Sequence, residues 1–236
     1  MLKSIVSINQ AWNGNADCLH CSIRSSALFN GLTEDDFKQF HKPVDQLTLK
    51  QGQVLYNMGD VGAYLFTVRS GLLKLVQSLP DGTQRVVRLL YSTDVLGLEI
   101  LVGDKYEHDV VALRDTELCR YPVEAVHVLS QSNPVLHKDL MAQWQKALAE
   151  ADAWLTHLST GPAKKRMANL LLRLLEGEDT AQCEIFNRED MGSILSLTTE
   201  TASRAISEFE RLGLMKKLSH NHYDLDVEGL QSVIAD

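Results

Sequence analysis

Near residue 132 the hydrophobic period of this 236-residue chain changes from that of short strands to that of one long helix, and few folds accommodate both. Upstream lie brief β-like runs: Val54-Leu55-Tyr56, Tyr64 to Val68, Leu72 to Val76, Val86 to Leu90, Val110 to Leu113 and Leu118 to Tyr121. Gly52, Gly59, Gly71, Gly82, Gly97 and Gly103 punctuate them, which predicts an antiparallel sandwich or roll. Pro80-Asp81-Gly82 is a turn, because proline presets φ and glycine accepts a positive φ. Downstream, Ser132 or Asn133 can cap a helix that begins at Pro134 and meets no breaker before Gly161-Pro162. Met141, Trp144, Leu148, Ala151, Leu155 and Leu158 recur along it at spacings of three and four, an a/d seam. Roughly 26 residues make a helix about 39 Å long, more than one small domain covers. The seam therefore predicts a parallel coiled coil between two copies, with packing on the chain's own roll as the alternative. Trp154 lies off the seam, where it can face the roll.

A second domain follows Gly161-Pro162. Ser159 or Thr160 can cap a helix through Glu176, ended by Gly177, with Met167, Leu170, Leu171, Leu174 and Leu175 on its buried side. A short strand, Cys183 to Phe186, precedes Asn187, a second cap. The segment from Arg188 to Arg204 then reads as a helix-turn-helix. Two helices crossing steeply need a small residue at the crossing, supplied by Gly192, and Met191, Leu195, Leu197, Ala202 and Ala205 form a shared core continued by Ile206 and Phe209. Thr198 can cap the second helix, leaving Thr199, Glu200, Ser203 and Arg204 on the exposed N-terminal face that enters the major groove in this motif.

There Arg204 can bond bidentately to guanine, Glu200 can accept from a cytosine amino group, and Ser203 or Thr199 can reach a base or phosphate. The plainer alternative is an ordinary capped helix with an Arg204–Glu200 pair at i,i+4. Ser196 stands in the turn where glycine usually supplies the positive φ. Past Gly213, Leu214 to Leu218 and Tyr223 to Leu225 form a two-stranded wing across His220-Asn221. Lys216 and Lys217 on the wing, like Lys164-Lys165-Arg166 upstream, are either phosphate contacts or a solvated face.

Charge qualifies this reading. The chain carries 31 acidic and 23 basic residues, a net −8, which argues against strong non-specific binding to phosphate. From Thr160 to Lys217, however, nine basic residues meet nine acidic ones, so the DNA-facing segment is neutral. No apolar run has the length of a membrane span, and the start lacks the apolar core of a signal peptide, so a cytoplasmic protein without membrane contact is expected. Four cysteines in such a chain suggest metal or redox chemistry, or plain burial, before a disulfide framework.

A β-roll, a long helix and a winged helix-turn-helix containing Glu200-Thr201-Ala202-Ser203-Arg204 resemble the CRP/FNR family of bacterial transcription regulators, nearest its FNR branch. The resemblance implies an α+β chain in three parts. A sensor of the cyclic-nucleotide-binding type takes residues 1–131, a dimerisation helix 132–160, and the DNA-binding domain 161–236. It further implies a homodimer on a two-fold symmetric site of the TTGAT…ATCAA type and a contact with RNA polymerase, with no enzymatic role. Glu200 and Arg204 match the family residues that read G·C pairs, and Ser203 the one that tunes the half-site.

The effector is a separate matter. Members that bind cyclic nucleotides use Gly-Glu for the ribose and Arg-Ser for the phosphate. Here the stretch reads Gly97-Leu98-Glu99 and then Lys105-Tyr106-Glu107-His108-Asp109, a poor match for an anion, so oxygen, redox state or a small diatomic is expected before cAMP. Cys18-Leu19-His20-Cys21 and the distant Cys119 resemble the segment that holds a [4Fe–4S] cluster in the FNR branch, but Ala27 stands where that pattern has a further cysteine. Three thiolates leave one iron without its usual ligand. A cluster, a thiol switch between Cys119 and Cys18 or Cys21, and a redox-silent remnant therefore stay open, with haem below them. Cys183 reads as a small buried hydrophobe. A cyclic-nucleotide-responsive regulator and a thiol oxidoreductase using Cys18 and Cys21 are the rival functions.

Overall fold

The computed structural model describes residues 5–6, 44–176 and 179–235, in two compact units: 1–77 with 89–148, and 78–88 with 149–236. Up to residue 122 the chain forms β1 (Ile5–Val6), β2 (Val44–Leu49), β3 (Val54–Tyr56), β4 (Tyr64–Ser70), β5 (Leu73–Ser78), β6 (Gln84–Leu90), β7 (Val95–Leu96), β8 (Asp109–Ala112) and β9 (Thr116–Pro122). One sheet has the order β1-β2-β9-β4-β7 and the other β3-β8-β5-β6. Register follows the apolar pattern: Leu47 and Val68 flank Leu118 on either side, while Leu75 faces Val110. A slip of one residue would turn these side chains to the wrong face. Leu65, Val68, Leu73, Val110 and Leu118 are completely buried.

Tyr106 reaches into this core. Its ring stacks on Tyr56 at 3.7 Å between centroids, and Tyr56 lies 5.8 Å from Phe66. The Tyr106 hydroxyl donates to the Tyr64 carbonyl at 2.7 Å and accepts from the Tyr64 N–H at 3.3 Å. Gly97, at φ 76°, passes so near that a Cβ there would meet the Tyr64 carbonyl at 3.0 Å and the Tyr106 ring at 3.2 Å.

Helix α1 (Val123–Ser132) follows β9 directly and was not expected, because Pro122 reads as a breaker when it in fact stands before the first turn. Helix α2 (Pro134–His157) begins as expected, with Asn133 Oδ1 accepting from the N–H groups of Val135 and Leu136 at 3.0 and 3.1 Å. It is 24 residues long rather than 26. The Leu158 N–H makes the last helical bond to the Trp154 carbonyl and the Ser159 N–H returns to the same carbonyl, which closes the helix; Leu158 is buried there and does not extend the exposed seam.

In the second unit α3 (Ala163–Leu174) starts after Pro162, not at a Ser159 or Thr160 cap, and ends before Glu176. The Thr160 hydroxyl is engaged upstream, donating to the carbonyls of Leu155 and Thr156. Then come β10 (Gln182–Glu184), α4 (Arg188–Leu195), α5 (Thr199–Arg211), β11 (Met215–Ser219), β12 (His222–Leu225) and α6 (Val227–Ala235). The three strands pair in the order β10-β12-β11, with Asn221 at φ 59° in the wing turn. Asn187 caps α4 as expected, its Oδ1 accepting from the Asp190 N–H at 2.8 Å. Among the described residues no helix is long and apolar enough to cross a membrane.

Helices α4 and α5 meet at Gly192. A Cβ there would lie 2.9 Å from the Leu197 carbonyl oxygen and 3.4 Å from the Thr199 nitrogen. The turn between the helices passes through Ser196 at φ 53°, ψ 42°, a left-handed conformation that costs a non-glycine residue about 1–2 kcal/mol. Met191, Ile194, Leu195, Ala202, Ile206 and Phe209 are completely buried around the crossing.

Two outcomes follow from this packing. Gly192→Ala is expected to destabilise the protein by about 1–2 kcal/mol in urea unfolding, because the overpacking penalty of roughly 1–3 kcal/mol exceeds the helix-propensity gain of about 0.5–1. Burial pushes the Tyr106 phenol above its ordinary value of 10 to about 12. The folded state thus favours the neutral form, and that contribution is complete below pH 10 and lost as the pH rises toward 12. Tyr106→Phe is expected to flatten the decline in stability across this window, and denaturant titrations at pH 9 and 11 check it.

Candidate DNA-binding surface

The start of α5 is built by its cap. Thr198 Oγ1 accepts from the Thr201 N–H at 3.2 Å and lies 2.9 Å from the Thr201 hydroxyl, satisfying one donor that the first turn leaves open. Glu200 sits in that first turn, where a carboxylate complements the helix dipole. Ala202, Ala205, Ile206 and Phe209 bury one face of the helix. The opposite face carries Thr199, Glu200 and Arg204, all exposed, with Ser203 half-buried beside them. Sequence periodicity therefore located these residues correctly on one outward face.

Glu200 and Arg204 form an i,i+4 ion pair with side chains 73% and 76% exposed. The pairing anticipated as the plainer alternative is thus present. An exposed helix pair contributes only about 0.3–0.5 kcal/mol, less than one bidentate base contact at roughly 1–3. The pair holds a donor fork and an acceptor side by side at the mouth of the helix.

The wing is tied to this helix by a contact that sequence reasoning missed. Tyr223 of β12, 1% exposed, donates its hydroxyl hydrogen to Glu210 Oε1 of α5 at 2.9 Å. Burial is the main cause that raises the Tyr223 phenol, so it remains a donor at neutral pH. Lys216 and Lys217 on β11 are exposed, and Lys216 stands opposite Asp224 in the register of the wing.

The other basic run divides. Lys164 pairs with Glu208 at 2.7 Å, Lys165 is half-buried, and Arg166 turns inward to the carbonyls of Leu195 and Ser196. Arg173 is held by Glu150 and lies 5.9 Å from the Trp154 ring. Trp154 is buried in this second unit, so its place off the seam serves the packing of α2 against α3.

Along α2, Met141, Leu148 and Leu155 are 50%, 64% and 60% exposed at intervals of seven residues. Trp144 is half-buried and Ala151 exposed between them. Cys119 lies on β9, 7% exposed, between Gln46 of β2 and Thr67 of β4, while Cys18 and Cys21 fall outside the described residues. Cys183 is buried at 5%, as a small hydrophobe would be. The donor set of Cys18, Cys21 and Cys119, with Ala27 at the remaining position, does not supply the four thiolates of a [4Fe–4S] cluster. Among the described residues no group of three or more His, Cys, Asp or Glu converges as a metal site.

Comparison with known proteins agrees with both units. Residues 46–133 match the cyclic nucleotide-binding domain, and residues 165–233 match the Crp-like helix-turn-helix domain. The chain is 28% identical to the transcriptional activator protein anr of Pseudomonas aeruginosa, over 89% of each chain. It is 25% identical to the fumarate and nitrate reduction regulatory protein of Vibrio cholerae, over 82% of this chain and 80% of the relative. The structure of FixK2 from Bradyrhizobium japonicum superposes with a TM-score of 0.74 at 21% identity, covering 80% of this chain and 96% of that one. With its cyclic nucleotide-binding domain followed by a DNA-binding helix-turn-helix, and activators as relatives along nearly the whole length, the chain belongs to the CRP/FNR family of transcription regulators.

Proposed function

We propose that two copies of the chain pair through α2 and read a two-fold symmetric DNA site, in response to a signal other than cAMP. The observation that carries the reading is the outward face of α5, where Glu200 and Arg204 stand exposed beside Thr198, Thr199 and Ser203. Pairing is supported by Met141, Leu148 and Leu155, three large apolar side chains in a heptad line with more than half their surface or close to it in water. Exposed apolar stripes of this kind mark association surfaces, and the period of seven fits a parallel partner. Two recognition helices then address successive major grooves about one helical turn apart. A sensor event affects DNA affinity only through its difference between the two states of the dimer, and a change in the α2 seam is the simplest such difference.

The reading that the signal is not cAMP rests on Tyr106. It occupies the interior of the roll between Gly97 and Tyr56, at the segment where nucleotide-binding relatives hold the cyclic phosphate. Nearby polar groups are also engaged, with Asp109 accepting from the Met58 N–H at 2.7 Å. Fumarate and nitrate are electron acceptors used in place of oxygen, so the name of the V. cholerae relative directs the first trial to oxygen and redox state. Cys119, with Cys18 and Cys21, is the group such a signal would modify. Contact with RNA polymerase and a cytoplasmic setting belong to the same reading, carried by the family.

Leu148→Asp places a charge in the middle of the proposed seam. It is expected to give monomers in sedimentation at micromolar concentration and to weaken operator binding by about 100-fold or more through the lost second half-site. Glu200→Ala and Arg204→Ala are each expected to reduce affinity for a TTGAT…ATCAA duplex by about 1–3 kcal/mol while sparing dimerisation. Titration of labelled duplex checks both. Operator binding unchanged in the Glu200 and Arg204 variants would remove the recognition assignment.

A further inference from the structure

We infer that Arg166 is a positioning residue for DNA recognition, which holds the turn between α4 and α5 from the first helix of the unit; the inference rests on α5 being the recognition helix. Its place in a Lys-Lys-Arg run suggests a phosphate contact. The geometry assigns it otherwise. Arg166 Nη1 donates to the Leu195 carbonyl at 2.6 Å and reaches the Ser196 carbonyl at 3.4 Å, 29 and 30 residues downstream. Its Nε is buried with no hydrogen-bond partner, so the base of the guanidinium faces protein and not solvent.

The two carbonyls belong to the end of α4, where the helix leaves acceptors unsatisfied and its dipole is negative. Ser196 is also the residue held at φ 53°, and its own N–H and that of Leu197 both return to the Gly192 carbonyl. The turn is therefore fixed from two sides. Backbone donors close it onto α4, and the Arg166 fork fastens its carbonyls to α3. Two residues beyond Ser196, Thr198 begins the recognition helix, so any relaxation of the turn displaces Glu200 and Arg204 together. Bidentate base contacts tolerate little displacement, because hydrogen bonds weaken steeply away from their preferred distance and angle.

Burial and the neighbouring charge of Arg85 both act against the charged guanidinium, yet its pKa is too high for it to lose the proton near neutrality. A rigid planar fork suits two carbonyls in fixed relation better than the compact ammonium of lysine. This chain uses serine at the positive-φ position, so the external clamp does work that glycine at position 196 would lighten.

The test uses the full-length protein with a TTGAT…ATCAA duplex and a scrambled duplex of the same composition. Arg166→Ala is expected to lower operator affinity about tenfold or more. Scrambled-duplex affinity and the slope of log K against log salt should stay unchanged. Ser196→Gly should recover more affinity in the Arg166→Ala background than it adds to the wild-type protein. Without DNA, amide hydrogen exchange at Leu197 should accelerate in Arg166→Ala while the α3 core stays protected. Arg166→Gln, which retains an N–H donor, serves if the alanine variant does not fold, and should give the same pattern in weaker form. A salt slope reduced by about one phosphate contact would make Arg166 a DNA ligand and overturn the inference. Strictly additive effects of the two substitutions, or unchanged exchange at Leu197, would overturn it as well. Failure of the wild-type protein to prefer the operator, with exchange behaving as expected, would instead count against α5 as the recognition helix.

Discussion

Between Gly192 and the Leu197 carbonyl there is no room for a methyl group, and the arrangement of the second unit depends on that close approach. Because α4 carries no side chain at the crossing, α5 can approach it at the backbone and bury Ala202, Ile206 and Phe209 in a common core. Burying that face leaves the opposite face, with Glu200 and Arg204, directed outward. The turn that makes the approach reachable requires Ser196 to adopt a left-handed conformation, held by backbone bonds to Gly192 and by Arg166. The outward face of α5 is thus held in place by contacts made entirely within the unit.

Electrostatics shape the same outcome. The segment from Thr160 to Lys217 is neutral, and two of its nine basic residues, Arg166 and Arg173, are engaged inside the unit. The remaining cations are matched by nine acidic residues, and counterion release scales with the number of phosphates neutralised. On the reading proposed above, discrimination would then fall to base contacts by Glu200 and Arg204 and to the doubling of sites in a dimer. A net charge of −8 over the whole chain does not oppose DNA binding by a segment that is itself neutral.

Much of the fold was legible in the sequence. The turn at Pro80-Asp81-Gly82, the caps at Asn133, Asn187 and Thr198, the crossing at Gly192 and the positive φ at Ser196 are all where local patterns placed them. Other elements were not visible. Strands β2 and β7 carry too little alternation to stand out, α1 hides behind Pro122, and α6 contains a glycine at position 229. One signal for α6 was present: Asp226 precedes it as a cap and accepts from the Gly229 N–H at 3.0 Å. The inward course of Arg166 and the tie from Tyr223 to Glu210 join positions 13 to 30 residues apart, and no local period encodes them.

By itself the sequence determined the order of parts, the heptad line on α2 and the polar face of α5, because each follows from side-chain chemistry repeated at the period of one element. Tertiary structure decided which members of those patterns are available. It buried Leu158 where the helix ends, turned Arg166 from a prospective phosphate ligand into an internal partner, and placed Tyr106 inside the roll. The physical reason is the same in each case. Whether a basic or apolar side chain faces water depends on which distant backbone or side chain reaches it first, and that distance exists only once the chain has folded.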